Sequence, residues 1–252
     1  MHRNRILSTI FIITGLFLVF LMLFYLKEKE KPEEEIKQEE ITEPEEKSIY
    51  EGAVVVVDPG HGGKDPGKVG TAGTLEKDIN LLIAMELKPL LEEEGITVVM
   101  TREEDISLGN TEADNVKMED LNERVRLIDG SGCHLAVSIH QNSFQDKSVA
   151  GPQVFYYEGS EGGETAANVM QQALNRELSV QSPRSIKANG DYWLLKKTKA
   201  TLVIAECAFL SNPEEEKLLN EEAYRDRIAL ALKEGILKYL DVSFSSEENV
   251  IY

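Results

Sequence analysis

Cysteine is scarce, with only Cys133 and Cys207 in 252 residues. Two are too few for a disulfide framework or a thiolate zinc site. Both sit beside apolar runs and read as small core residues, with a single bridge between them left open if the domain lies outside the cell. Positive charge is short as well: 27 Lys and Arg stand against 45 Asp and Glu, a net charge of -18. With no basic patch interleaved with aromatics, nucleic acid is excluded as the partner. Neither G-x-G-x-x-G nor a P-loop lysine-serine pair occurs, which speaks against reading the glycines at 60, 62, 63 and 67 as a phosphate cradle. No internal repeat is visible.

A long apolar run occurs once. Ile6 to Leu26 holds 21 residues without a charge, about the ~20 needed to cross a hydrocarbon layer of ~30 Å. It is followed by "KEKEK" rather than by the small residues of a cleavage site, which favours an uncleaved anchor over a removed signal. The lysine and arginine counts on its two sides nearly tie. An inside N-terminus and an exported, membrane-anchored domain is the simplest arrangement. Lys27 to Glu51 then carries 11 acids against 5 lysines and almost nothing apolar, the composition of a disordered tether.

The remainder reads as one α/β domain over residues 52–241, followed by a frayed tail at 242–252. Strand-like runs recur at Ala53–Asp58, Gly95–Arg102, His134–His140, Gly151–Tyr157 and Ala200–Glu206. Between them lie helical faces: Leu75, Ile79, Leu82, Ile83 and Leu87, ended or kinked by Pro89; Leu121, Val125 and Ile128; Ala166, Val169, Met170, Ala173 and Leu174. A last helical region follows "SNPEE", where Asn212 can cap, Pro213 suits the first turn and Glu215 stands at the capping-box position. Strands alternating with helices predict a mostly parallel sheet with helices on both faces.

Sites in such sheets form at the carboxyl ends of strands. Three runs end in residues with useful chemistry: Val54–Val57 leads to His61, Leu135–Ile139 to His140, and Thr201–Ala205 to Glu206. Glu76, in the first turn of the first helix, alone is an ordinary dipole-stabilising acid. With two histidines it completes a donor set found in catalytic zinc sites. Glu206 at the end of a buried strand is costly unless it meets a cation, a metal or several donors, and it could serve as acid/base. His134 begins the strand that His140 ends, about 20 Å away at ~3.3 Å per residue, and is left out. Asp58 and Arg102 could steady ligands or form buried ion pairs; Arg124 is unassigned, and Asn142 reads as substrate binder or turn residue.

"VVVDPGHGG", "LEKDINL", "VVMTR", "LNERVRL", "VSIHQN" and "AECAFLSNPEE" stand in that order between Val54 and Leu240. In this the chain resembles the zinc-dependent N-acetylmuramoyl-L-alanine amidases of the amidase-3 type. The resemblance implies a six-stranded sheet, His61, Glu76 and His140 as zinc ligands, and Glu206 as catalytic acid/base. The implied reaction is hydrolysis of the amide joining N-acetylmuramic acid to the L-alanine of the peptidoglycan stem peptide.

Ala208 stands where the family usually has glycine, and Thr201 where many relatives have proline. Residues 103–120 are long enough to hide a surface loop, although no clear insertion like the autoinhibitory helix of some relatives is evident. A short chain with one N-terminal span and no wall-binding repeats looks like the sporulation-specific branch. Members of that branch act in spore cortex maturation and germination, where a deacetylase follows and muramic-δ-lactam is made. The catalytic domain would then face the wall or the forespore intermembrane space. The alternatives are a general wall autolysin of the same family, a zinc carboxypeptidase or deacetylase with a similar ligand set, and a catalytically silent wall-binding module.

Overall fold

A computed structural model describes residues 2–29 and 48–248, with side chains described for 15–28 and 48–245. The chain divides into two units, residues 1–46 and 47–252. In the first, α1 (His2–Lys29) coincides with the expected span. Its described side chains from Leu16 to Leu26 are exposed. Among the described residues no helix is long and apolar enough to cross a membrane. Most of the expected tether, residues 30–47, lies outside the described residues.

The second unit holds β1 (Val54–Pro59), α2 (Glu76–Glu92), β2 (Thr97–Met100), α3 (Val116–Gly130), β3 (Leu135–Asn142), β4 (Gln153–Tyr157), α4 (Glu161–Glu177), β5 (Lys187–Asn189), α5 (Trp193–Lys197), β6 (Leu202–Phe209), α6 (Pro213–Leu219) and α7 (Glu222–Glu248). The six strands form one sheet in the order β2-β1-β3-β6-β4-β5. All neighbours are parallel except β4 and β6. The β-branched run of β1 is buried on both faces because side chains alternate along a strand. Val55 and Val57 point into a large core shared with α2, α4 and α7, while Val56 joins a smaller one with Ile128 of α3 and Leu194 of α5. Helices therefore cover both faces, as expected.

Four local expectations change. Pro89 does not end α2, which runs on to Glu92. It sits in the last turns, where one missing hydrogen bond is outweighed by the full burial of Leu87 and Leu91 on either side. The tether ends earlier than residue 51, since Tyr50 is buried and its hydroxyl donates to Asp241 Oδ1 at 2.8 Å. The tail is helical to Glu248, and Phe244 packs on the large core with its ring edge-on to His134. Glu215 does not close a capping box. Asn212 accepts from the N–H groups of Glu214 and Glu215, while the Glu215 carboxylate accepts from Phe209 and Gly151.

β5 has only three residues and no apolar run, so periodicity could not find it. The cysteines are free, Cys207 in the large core and Cys133 beside the small one. Ala208 is buried and is not among the residues with positive φ, so the departure from glycine carries no backbone strain there.

Candidate metal centre

Parallel register brings the chemistry to one edge of the sheet. β1 ends at Pro59, two residues before His61, and β3 and β6 pair so that His140 lies beside Glu206. The start of α2 lowers Glu76 onto the same point. Glu76 Oε1 is 2.9 Å from His140 Nδ1 and 3.2 Å from His61 Nε2. One ligand atom from each residue lies within 4.8 Å of the others. Glu76 is 2% exposed, and main-chain N–H groups of Lys68 and Gln141 donate to its two oxygens at 2.7 and 3.2 Å. His61 Nδ1 bonds Asp65 Oδ2 at 3.0 Å, the outer carboxylate that fixes an imidazole so that its other nitrogen faces a metal.

The donor chemistry fits a divalent cation. Burial lowers the pKa of His61, but hydrogen bonds to Asp65 and Glu76 outweigh it and push the imidazole up to about 9. Burial alone would raise Glu76; its hydrogen bonds to the two histidines hold it far below the usual carboxylate range. The pocket is thus built to accommodate positive charge. Two imidazoles and one carboxylate match the three-ligand sets of zinc sites with an open position.

The loop carrying His61 is held by two buried arginines. Arg124 pairs with fully buried Asp58 and donates to Pro59 O at 3.0 Å and His61 O at 2.6 Å. Arg102 donates to Pro59 O at 2.9 Å and Gly60 O at 3.1 Å. Ser138 and Thr101 complete the Asp58 shell, each at 2.6 Å. This clamp holds His61 at φ 62, in the left-handed region, a sparsely populated conformation that persists only where surroundings over-determine it.

Glycines let the backbone approach. A Cβ at Gly60 would collide with the His140 ring, and one at Gly67 would stand 2.7 Å from His61 Cδ2. Because Gly67 also has φ +67, Gly67→Ala is expected to cost about 1–3 kcal/mol of stability and to weaken zinc binding at least tenfold. Thermal melts and a zinc titration check this; unchanged zinc affinity would contradict the packing described.

Glu206 faces the three donors across a cavity of about 470 Å³, which Tyr192, Trp193 and Lys68 also line. It is 9% exposed, and its Oε2 is buried with no hydrogen-bond partner. Burial pushes its carboxyl up to about 7, with the His140 charge opposing and the Glu76 charge adding. A carboxyl poised near neutral pH and aimed into a cavity suits proton transfer.

Residues 55–238 match the amidase-3 family, N-acetylmuramoyl-L-alanine amidase. The chain belongs to this family. The amidase is 39% identical over 191 residues to the germination-specific N-acetylmuramoyl-L-alanine amidase of Bacillus subtilis (strain 168), over 75% of this chain and 80% of the relative. Among solved structures it is similar to the CwlD amidase from Clostridioides difficile in complex with the GerS lipoprotein, with TM-score 0.73 and 38% identity over 75% of this chain and 99% of that one. The catalytic domain of CwlV from Bacillus (Paenibacillus) polymyxa var. colistinus gives TM-score 0.67 and 31% identity over 75% and 99%. These similarities support the expected sporulation branch.

The amidase brings all four predicted site residues to one place and leaves His134 at the far end of the sheet, where its Nδ1 accepts from Val54 N at 3.0 Å. Asn142 lines the cavity as the last residue of β3, paired with Phe209, and not as a turn residue; its Oδ1 accepts from Ser143 N at 2.8 Å. Asp65 was missed. Its spacing of four from His61 within a glycine loop was the available signal. Residues 103–115 contain no helix or strand, and Asp105 ties them to the N–H of Gly63 and to Lys77.

Proposed function

We propose that the chain is a zinc-dependent N-acetylmuramoyl-L-alanine amidase of spore cortex maturation and germination, anchored in a membrane through residues 6–26 with its catalytic domain outside the cytoplasm. The observation that carries the catalytic reading is the partnerless Glu206 carboxylate facing His61, Glu76 and His140. His61, Glu76 and His140 would hold the ion, with Asp65 fixing the His61 ring. A zinc ion in that set supplies Lewis acidity, making water nucleophilic near neutral pH and polarising an amide carbonyl.

Glu206 takes the proton of the attacking water and passes it to the departing L-alanine amine, so one carboxyl is base and then acid. The burial that raises its pKa makes the carboxylate a stronger base for the uptake of that proton. The charge-free run of residues 6–26 in the sequence supports the anchor, and residues 27–47 would be its acidic tether. The named relatives, germination-specific and CwlD, support the spore role. There the cleavage would expose muramic acid to a deacetylase and allow δ-lactam formation. The CwlD complex supports a lipoprotein partner for this chain too.

Zinc is expected to raise the melting temperature of the wild type, since an ion bound only by the folded state adds about 4 kcal/mol at a thousand times its Kd. Glu76→Ala and His140→Ala should abolish that rise. Zinc uptake should release a proton from His61 and so weaken below pH 9, the value to which its pKa is raised. A zinc-induced rise persisting in both variants would refute the ligand assignment.

A further inference from the structure

A second cavity, of about 360 Å³, adjoins the first across Asn142 and Tyr192, which line both. It lies on the β4–β5 side of the site, and Gln153 on its wall pairs in register with Glu206. In a chain with 18 more acids than bases, the only ionic side chains lining it are two cations, Arg184 and Lys187. The Arg184 guanidinium lies 5.0 Å from the Phe209 ring centroid and donates to Ala150 O at 3.2 Å. The Lys187 ammonium lies 5.8 Å from the Phe155 ring centroid. The nearby Glu215 carboxylate is occupied by the N–H groups of Phe209 and Gly151. Among the described residues neither cation forms an ion pair with a carboxylate, which leaves both free to meet an anion.

The direction of cleavage places the substrate. The group leaving as an amine must depart beside the residue that gives it a proton. If Glu206 is that residue, the peptide half lies toward β4 and β5 and the sugar half toward β1. We infer that the second cavity is the stem-peptide subsite, and that Arg184 and Lys187 select peptides carrying free carboxylates over their amidated counterparts. This rests on the function proposed above and gives it a substrate class, an acidic stem peptide. Phe155 and Phe209 hold the cations in place and cover the peptide's apolar parts.

The test uses the full chain and two muropeptides that differ only in whether the stem carboxylates are free or amidated. A charge-assisted hydrogen bond is worth enough to lower KM about tenfold for the free acid. Arg184→Gln and Lys187→Gln should each move that KM ratio toward one, Arg184→Lys should keep most of it, and Lys238→Gln on α7 should leave it at the wild-type value. Should Arg184→Gln not fold, Lys187→Gln carries the test.

Binding is measured separately by calorimetry in a Glu206→Gln background, using a synthetic stem peptide with free carboxylates and its amidated form. The free acid should bind about tenfold more tightly, and the Arg184→Gln and Lys187→Gln changes should remove the difference. Equal KM and equal binding for the two forms in the wild type, or ratios unmoved by both variants, would overturn the subsite. Charge-selective binding lost in these variants, without cleavage by the wild type, would keep the subsite and refute the proposed function. Cleavage without discrimination would do the reverse.

Discussion

Glu206→Gln should lower the amidase rate about a thousandfold while leaving zinc binding unchanged. Gln has nearly the same shape but can neither accept nor return a proton, so the loss reports the proton relay and not the cavity. The same change should stabilise the metal-free protein. Burial raises the Glu206 pKa in the fold to about 7, above its ordinary 4.5. A carboxyl raised in this way binds its proton more tightly when folded. Its contribution to stability is therefore present at low pH and lost as pH rises from 4.5 through 7.

At pH 8 the wild type holds a buried carboxylate whose Oε2 has no partner, and Gln removes that charge. The expected gain at pH 8 is on the order of 2 kcal/mol, and at pH 4 it is near zero. Melts of both metal-free proteins at the two pH values test the sign. A variant that is less stable at pH 8 than at pH 4, relative to wild type, would show that Glu206 carries no such penalty.

Arg124→Met is the second large effect. It leaves Asp58 buried without its cation, which should cost about 3–5 kcal/mol. It also frees the Pro59 and His61 carbonyls that hold the metal loop, so zinc affinity should fall too. In the wild type, burial would raise the Asp58 pKa, but Arg124 and the hydroxyls of Ser138 and Thr101 pull it below 3.8. Its stabilising contribution is present above pH 3.8 and lost as pH falls below that.

Without Arg124 the Asp58 pKa rises, so the difference between variant and wild type should shrink below pH 4. The double variant Asp58→Asn with Arg124→Met should be more stable than Arg124→Met alone, because it removes the unpaired charge. Denaturant melts of the three proteins measure this. Additive losses would mean that the pair is not coupled.

Local chemistry decided how much could be read before folding. His61, His140 and Glu206 were legible because apolar runs stop at them, and a parallel sheet gathers strand ends at one edge. Glu76 was an ordinary first-turn acid until the histidines and the family motifs singled it out. The Asp58–Arg124 pair joins positions 66 residues apart, a separation that no local pattern reports. Residues 48–51 looked like tether because they continue an acidic, polar run, yet the hydroxyls of Tyr50 and Ser48 dock them on Asp241 and the Glu94 carbonyl. β5 escaped because its pairing with β4, not its own sequence, makes it a strand. The cations Arg184 and Lys187 gain meaning only because, among the described residues, neither forms an ion pair with a carboxylate where they line the second cavity.

The central claim is that this edge of the sheet hydrolyses the bond between N-acetylmuramic acid and L-alanine. The most direct measurement is to incubate the full zinc-loaded chain with intact peptidoglycan and identify the ends created by mass and by amine labelling. Stem peptides with a free L-alanine amine should be released by the wild type and not by Glu206→Gln. New reducing sugar ends, cuts within the peptide, or equal release by the variant would contradict it.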